Sequence, residues 1–368
     1  MTRHRPVIVG GGLAGGAAAV RLAQMGLSPL LLERSTEAHD KICGEFLSIE
    51  ASQHLAALGL DVRHLGGTHI DTVRIRHGRQ TASQSLPFVA TGLTRRTLDA
   101  ALLDHAAACG ASVTRGLTVQ RIADGELVTA SGVIDEGPIL LATGKHELHG
   151  AARDADGTLH DVVGFKQYLR MTPALARAYH GIVEIVIIDG GYVGVQRVDG
   201  DRLNVCLVMT KGRFKALGGR WASLWSALLR EPALEALADA EPLLPRPLSI
   251  AGVPYGYLAR PEADAAWYRL GDQAAVIPSF CGDGMAIALH SGRLAANAIV
   301  NGATAAAYQA QLYADVHRQV RLATRLQWIV ATPIGPFALM AGLRAIPGAL
   351  RMLAHWTRIA PTAVSRAL

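Results

Sequence analysis

Val7-Ile8-Val9 runs directly into Gly10-Gly11-Gly12-Leu13-Ala14-Gly15-Gly16 and then into an alanine-rich stretch that lasts to about Gly26. An apolar, β-branched run ending in glycine reads as a buried parallel strand, and the stretch after it as a helix. In Gly10-x-Gly12-x-x-Gly15 the first glycine permits a tight turn. The second lets backbone approach a pyrophosphate, and the third lets helix and strand pack closely. The helix N-terminus offers free N–H groups and the positive end of a dipole to phosphate. Leu30-Leu31-Leu32-Glu33 reads as a second strand that completes a βαβ unit. Glu33 follows Gly15 by 18 residues, where a carboxylate accepts hydrogen bonds from an adenosine ribose. These residues commit the chain to an α/β fold with a Rossmann-like nucleotide-binding domain.

A chain of 368 residues suits one large domain or two intimately joined ones. Half of it is hydrophobic and only 18% is charged, which supports a sizeable core. Cys43, Cys109, Cys206 and Cys281 are scattered without metal-ligand spacing, and the histidines form no HExxH-like pattern, so no metal site is expected. The cysteine usage suits a reduced, cytoplasmic setting. The N-terminal apolar run is broken by glycines and reads as strand–turn–helix, not as a secretory signal. No uninterrupted run reaches the ~18 apolar residues of a spanning helix. The net charge is +6, yet no acidic residue follows Asp315, and the seven arginines beyond it leave residues 1–315 at −1. The basicity therefore belongs to the C-terminus and does not mark a nucleic-acid-binding core.

Further along, residues 48–59 read as a helix capped by Gly59, 70–90 as short irregular strands such as Thr72–Arg76, and 95–108 as an amphipathic helix. Residues 113–129 read as strands around turns, and Ile139–Ala142 as another buried strand. Residues 182–188 and 202–209 read as strands, and 218–240 as a helix closed by Pro242, Pro245 and Pro247. Residues 268–298 return to the nucleotide fold as strand, loop and long helix. The remainder reads as helical, with Pro333, Pro336 and Pro347 as breaks.

Four blocks carry a resemblance to a known family. Besides the first glycine turn they are Lys41-Ile42-Cys43-Gly44, Arg95-Arg96-Thr97-Leu98-Asp99, and Gly271-Asp272 with Pro278-Ser279-Phe280-Cys281-Gly282-Asp283-Gly284-Met285. With them the chain resembles the FAD-dependent oxidoreductases that include class A flavin monooxygenases and geranylgeranyl reductases. The resemblance implies a Rossmann-like FAD-binding domain of the GR2 type, with an inserted β-sheet substrate domain and a helical C-terminus. The expected division is 1–70, 92–160 and 262–315 for FAD, 71–91 and 161–261 for substrate, and 316–368 as a basic, hydrophobic tail.

By the same resemblance Gly10, Gly12, Leu13, Ala14 and Gly15 are expected at the FAD pyrophosphate, with Glu33 at adenosine and Arg34 among the cofactor-binding residues. Lys41, Cys43 and Gly44 run beside the flavin. Arg95 reaches the phosphates, for which its planar fork is suited. Thr143 and Gly144 end the strand under the adenosine moiety. Asp272 holds the ribityl hydroxyls, and Pro278 turns the chain across the ring. Gly282, Gly284 and Met285 open a helix whose N–H groups stabilise negative charge at the ring edge. The catalytic groups are unassigned, with Cys43, Pro278, Phe280 and Cys281 as flavin-proximal candidates. Tyr192 and His290 are substrate candidates.

The chain also departs from its relatives. Lys145-His146-Glu147-Leu148 stands where the hydroxylases carry Asp-Gly and Ser-x-x-Arg, so either NAD(P)H or a partner flavin reductase is left as electron source. The Trp-x-Trp-x-Ile-Pro segment of flavin halogenases is absent. Gly190–Arg197 replaces the aromatic segment of geranylgeranyl reductases. The leading expectation is a monooxygenase that oxidises a hydrophobic aromatic or polyketide-like molecule through a flavin hydroperoxide. The alternatives are a reductase of carbon–carbon double bonds in prenyl-type substrates and a non-catalytic flavin-binding scaffold. The expected location is cytoplasmic, with residues 318–368 offering contact to the inner membrane face.

Overall fold

Apolar runs at both ends of the chain meet in one parallel sheet. In the computed structural model, which describes residues 5–154, 156–332, 334–346 and 348–368, Val7–Val9 pairs with Ile139–Leu141 on one side and Leu30–Glu33 on the other. Tyr268–Arg269 and Ser112–Arg115 complete the five strands at the two edges. The central strand is buried on both faces, as a continuous apolar run requires. One face is covered by helices Leu13–Gln24, Arg95–Ala108 and Gly284–Val300. The other is covered by the three-stranded meander Val119–Ala123, Glu126–Thr129 and Gly132–Ile134, through Val119, Ile122 and Leu127.

Gly10 makes the turn out of the first strand at φ +111°, and a Cβ there would stand 2.3 Å from the Ala142 carbonyl oxygen. Only glycine fits. At Gly15 a Cβ would stand 1.9 Å from the Gly10 carbonyl oxygen, so the helix packs on the turn through a bare backbone. This close approach fixes the Leu13–Gln24 helix directly over the strand ends.

The second sheet has eight strands, in the order Leu248–Ala251, Val162–Arg170, Arg202–Thr210, Gly191–Val198, Gly181–Ile188, Thr68–His77, Gln80–Gly92 and Phe46–Leu47. Its one parallel pairing joins Gly181–Ile188 to Thr68–His77. Side chains alternate across it. Val193, Val195, Val205 and Leu207 point to one face, where helix Trp221–Leu228 packs. Tyr192 and Val208 point to the other, towards the glycine loops.

Three expectations change. Residues 70–90 are not irregular: they form a long hairpin with one bulge between Ile70 and Thr72. Val73 and Ile75 point to one face and Arg74 and Arg76 to the other, where both arginines meet the buried Glu184. Residues 218–240 are not one helix. Trp221–Leu228 stops short of Pro232, and only the 3₁₀ turn Glu235–Leu237 follows. Proline lacks the N–H and clashes with the preceding turn. Pro336 does not break a helix but sits in the first turn of Gly335–Ala345, where a missing N–H costs nothing. Pro333 and Pro347 lie outside the described residues.

The C-terminal helices Ala305–Val330, Gly335–Ala345, Ala349–Trp356 and Pro361–Ala367 close the molecule. Met340, Leu343 and Leu350 pack on Ile75, Ala82 and Ile187 of the eight-stranded sheet. No single helix among the described residues is long and apolar enough to cross a membrane.

Candidate functional site

The two sheets and the C-terminal helices enclose a continuous cavity of about 770 Å³. Gly10, Gly12, Leu13, Ala14, Glu33, Arg34, Lys41, Cys43, Gly44, Arg95, Thr143, Gly144, Asp272, Gly282, Gly284 and Met285 all line it. Gly15 and Pro278 do not. Gly15 is used against the strand, and Pro278 is buried before the short turn Ser279–Cys281.

At one end the glycine turn faces two cations. A Cβ on Gly12 would lie 3.5 Å from an Arg95 nitrogen and 4.0 Å from Lys41 Nζ. Gly12 caps its helix without a side-chain bond, leaving the first N–H groups free. Asp99 holds both cations: Arg95 Nε donates at 2.8 Å and Lys41 Nζ at 2.7 Å. Burial opposes the charge on Arg95, but Asp99 and the nearby Cys43 more than restore it. Two cations over a bare helix N-terminus form an anion site, and the fit to a pyrophosphate is close.

Glu33 is buried beside this turn. Its Oε2 accepts the Gly11 N–H at 2.7 Å and its Oε1 the Ser35 N–H at 2.8 Å. Burial works against the carboxylate. Those two N–H groups and the Lys41 charge outweigh burial and hold its pKa below the ordinary value. Arg34 lies 2.7 Å from His146 Nε2. Burial and then the Arg34 charge push His146 below its ordinary pKa. Arginine only donates, so Nε2 of the neutral ring accepts.

In the middle of the cavity runs the Lys41–Leu47 strap. It pairs with the eight-stranded sheet only through Phe46–Leu47. Between Lys41 and Glu45 each carbonyl accepts from a side chain, and that of Glu45 also from the Leu93 N–H at 3.2 Å. Lys166 donates to the Lys41 oxygen, Lys145 to Ile42, Asn204 to both Cys43 and Gly44, and Gln196 to Glu45. A buried backbone carbonyl without a partner is costly, so these donors fix the strap in place. Glu45 takes the left-handed conformation, φ 61°, and sends its side chain inward. Its Oε1 accepts from Lys166 at 2.6 Å, Tyr168 at 2.7 Å and the Arg95 N–H at 2.8 Å. Burial still raises its pKa, with Lys166 opposing.

Lys145, the departure noted in sequence, reaches the cavity. Burial disfavours its charge, but Asp272 first and Tyr255 second hold its pKa above the ordinary value. Arg153 clamps this loop to the Asp272 loop. It donates to the Asp272 carbonyl at 2.6 Å and the Lys145 carbonyl at 3.1 Å. Neither Arg153 nor Lys166 carried a sequence signal, because Arg153 reaches the Asp272 carbonyl and Lys166 the Lys41 carbonyl across more than a hundred residues, and any residue presents a carbonyl.

The other end of the cavity is apolar. Phe280, Val276, Val208 and Ile250 approach Tyr192, whose ring meets Phe280 edge-on at 5.9 Å. Among the described residues the buried Tyr192 hydroxyl has no partner in good hydrogen-bond geometry, although Ser279 lies close enough to act on it. Ser279 beside it bonds Tyr255 at 2.6 Å. Burial lifts the Tyr192 pKa far above the ordinary value, so the phenol stays protonated and able to donate. Cys43, Cys206 and Cys281 line the same cavity as free thiols, and burial pushes Cys281 above its ordinary range and Cys206 up to about 12. An uncharged thiol is a poor nucleophile. His290 is not part of the cavity. It is fully buried between helices, bonded to Asp315 at 3.0 Å and packed on His54 at 5.3 Å. The helical period turns it to the face opposite Gly284 and Met285.

The helix Gly284–Val300 starts at the cavity with no side chain capping its N–H groups. Asp283, at the cap position, is turned away to Arg358 at 3.1 Å and Gln319 at 3.1 Å. Burial raises its pKa to about 7 against the pull of Arg358.

Residues 4–137 match the FAD binding domain family. The menaquinone reductase of Mycolicibacterium smegmatis is 25% identical over 366 residues, spanning 90% of this chain and 86% of that protein. The fold is that of flavin-dependent brominase Bmp2, with a TM-score of 0.75 at 18% identity over 97% of this chain and 93% of the other. It is similar also to P. aeruginosa PqsL in complex with 2-aminobenzoylacetate, at 0.70 and 16% over 93% and 100%. Halogenase PltM in complex with phloroglucinol and FAD aligns at 0.73 and 13% over 100% and 90%.

Proposed function

We propose that this chain, which belongs to the FAD-dependent oxidoreductase superfamily of class A flavin monooxygenases and geranylgeranyl reductase-like proteins, is a monooxygenase that oxidises a hydrophobic aromatic or polyketide-like small molecule. Its cofactor is FAD. In this reading Gly12, Leu13, Ala14, Lys41 and Arg95 would hold the pyrophosphate, Glu33 the adenosine ribose, and Asp272 the ribityl chain. The N–H groups at Gly284 and Met285 would face the ring edge. Residues 1–70, 92–160 and 262–315 would form the FAD-binding unit, and 71–91 with 161–261 the substrate unit.

Bound FAD supplies the electrons that activate O₂, so that one oxygen atom passes to the substrate and the other leaves as water. NAD(P)H or a flavin reductase replenishes those electrons. The protein contributes position and environment. The uncapped helix N-terminus favours negative charge at the ring edge. The apolar chamber excludes water and holds an aromatic face against Phe280. The Tyr192 hydroxyl donates to a substrate oxygen.

That hydroxyl carries the reading. A buried donor without a well-aligned partner costs up to roughly 1–3 kcal/mol, a cost that a bound oxygen atom would remove. The purified, FAD-loaded protein is reduced, given a panel of alkyl-substituted phenols, and exposed to isotopically labelled O₂. The label is expected in a hydroxylated product. Turnover without label in any product overturns the reading.

One observation favours a second reading, the name of the Mycolicibacterium relative. A reductase would saturate a carbon–carbon double bond of a prenyl quinone under anaerobic conditions, with two hydrogens gained and no O₂ consumed. Mass spectrometry of the same reduced protein given a prenyl quinone without oxygen separates the two.

A further inference from the structure

Outward-facing apolar residues are concentrated on one part of the surface. Among the described residues ten large hydrophobic side chains are exposed, and seven of them lie between Trp328 and Trp356. Ile334 is 76% exposed, and Trp328, Phe337 and Trp356 are all more than half exposed. Scattered exposed hydrophobics are ordinary, but a cluster of this kind marks a contact surface.

Helical spacing puts these groups on one side. In Gly335–Ala345 the buried Met340 and Leu343 face the sheet, and Phe337, Ala338, Ala341 and Arg344 face outward. In Ala349–Trp356 the buried Ala349 and Leu350 face inward, and Arg351, Met352, His355 and Trp356 face outward. Both helices pack on the same strand, Gln80–Gly92. Their outer faces therefore lie side by side. Burial of the core accounts for the inner stripe and leaves the outer one largely uncovered, although the Phe337 ring also meets His77 edge-on at 4.8 Å.

Charge identifies the partner. Arg321, Arg325, Arg344 and Arg351 are exposed around this face, and no acidic residue follows Asp315. Among the described residues Arg325, Arg344 and Arg351 form no ion pair. A second copy of the chain would bring the same arginines against each other, and like charges would repel. An anionic surface that also accepts indole and phenyl rings satisfies both halves of the pattern.

We propose that the outer face of the Trp328–Trp356 helices docks this protein on an anionic lipid bilayer. Docking would leave the protein peripheral. The inner faces of the same helices, through Val330, Leu339, Leu350 and Leu353, line the apolar end of the cavity. Docking therefore puts the roof of the cavity against the hydrocarbon region, from which an apolar molecule reaches the chamber without crossing water. The docking surface stands independently of the chemistry proposed above, and the two are tested by different readouts.

The test is flotation of the full-length, FAD-loaded protein with vesicles of phosphatidylglycerol and phosphatidylcholine, and with vesicles of phosphatidylcholine alone. Two variants are compared, Arg344→Glu/Arg351→Glu and Phe337→Ser/Trp356→Ser. All four positions are exposed, and flavin absorbance and melting temperature report retention of the fold. Wild type is expected to float with anionic vesicles and much less with neutral ones. Each variant is expected to lose about tenfold or more of its partitioning, since each surface arginine and each interfacial ring adds to binding. Equal flotation of wild type and both variants overturns the proposal. So does a wild-type dimer in sedimentation that the serine variant abolishes while vesicles bind none of the proteins, because the face then belongs to a second copy.

Discussion

Lys166 closes an ion pair on Glu45 at 2.6 Å in which neither side chain reaches solvent. Lys166 also donates to the Lys41 carbonyl, so one ammonium joins the eight-stranded sheet to both ends of the cavity strap. Removing one partner of such a pair leaves an unpaired buried charge. Lys166→Met is expected to lower unfolding free energy by about 3–5 kcal/mol. Adding Glu45→Gln should recover part of that loss, because the amide needs no counter-charge. Chemical denaturation of the two variants and wild type measures this. Simple additivity, with the double variant less stable than Lys166→Met, would sink the assignment of the cost to the orphaned carboxylate.

Arg95 is bound to Asp99 by two nitrogens, at 2.8 and 2.9 Å, while facing the Gly12 turn. Arg95→Ala is expected to weaken FAD binding by about tenfold to a hundredfold, the range of a charge-assisted bond. Arg95→Lys should recover less than half of that loss in free energy, since an ammonium cannot grip Asp99 and a phosphate in the same plane. Titration of the apoprotein with FAD, followed by quenching of flavin fluorescence, gives both values.

Asp283 and His54 titrate in opposite senses. Burial raises Asp283 from 3.8 to about 7 in the folded protein, so between those values the folded chain holds a proton that the unfolded chain has released. Stability from this group therefore falls as pH rises through the window. Burial, then the neighbouring His290, lowers His54 from 6.5 to about 3, so there the unfolded chain holds the extra proton, and stability rises with pH. Between pH 3.8 and 6.5 the two slopes oppose each other. Asp283→Asn removes the falling one. Its unfolding free energy is expected to gain slope on wild type by about 1.4 kcal/mol per pH unit. Denaturant unfolding across that window reads the difference. Parallel profiles for variant and wild type would mean that Asp283 is ionised when folded.

The Tyr192 hydroxyl in the apolar chamber lacks a well-aligned partner. Tyr192→Phe keeps the ring against Phe280 and removes only the donor. The folded protein is expected to be as stable as wild type or slightly more so, because a buried unpaired group is gone. Turnover of a phenolic substrate should show kcat/KM reduced about threefold to tenfold, the range of one neutral hydrogen bond. A loss of stability instead would indicate that the hydroxyl has a protein partner.

The glycine turn, Glu33, Arg95 and the Gly271-Asp272 pair stand out in the chain by local chemistry, and the fold brings them to one cavity. A turn at φ +111° admits few residues besides glycine, and an acid at the end of a strand and a cation beside phosphate draw on equally few types. The same reasoning misplaced His290. Its spacing after the Pro278–Met285 loop suits a cavity residue, but the helix rotates it onto Asp315 and His54.

By itself, then, the sequence determined the βαβ unit, the glycine turn with its acid and cations, and the basic tail, since period, turn chemistry and charge order are properties of neighbouring residues. Only the tertiary structure decided how the Lys41–Leu47 strap is held and which wall closes the cavity. Lys145, Lys166, Gln196 and Asn204 reach carbonyls more than a hundred residues away. A carbonyl accepts from any donor that the fold brings within about 3 Å, so no spacing in the chain announces the partner. The C-terminal helices follow the same logic. Their inward and outward faces both carry large apolar side chains, and only packing on Gln80–Gly92 separated the stripe that belongs to the core from the stripe left exposed beside arginines.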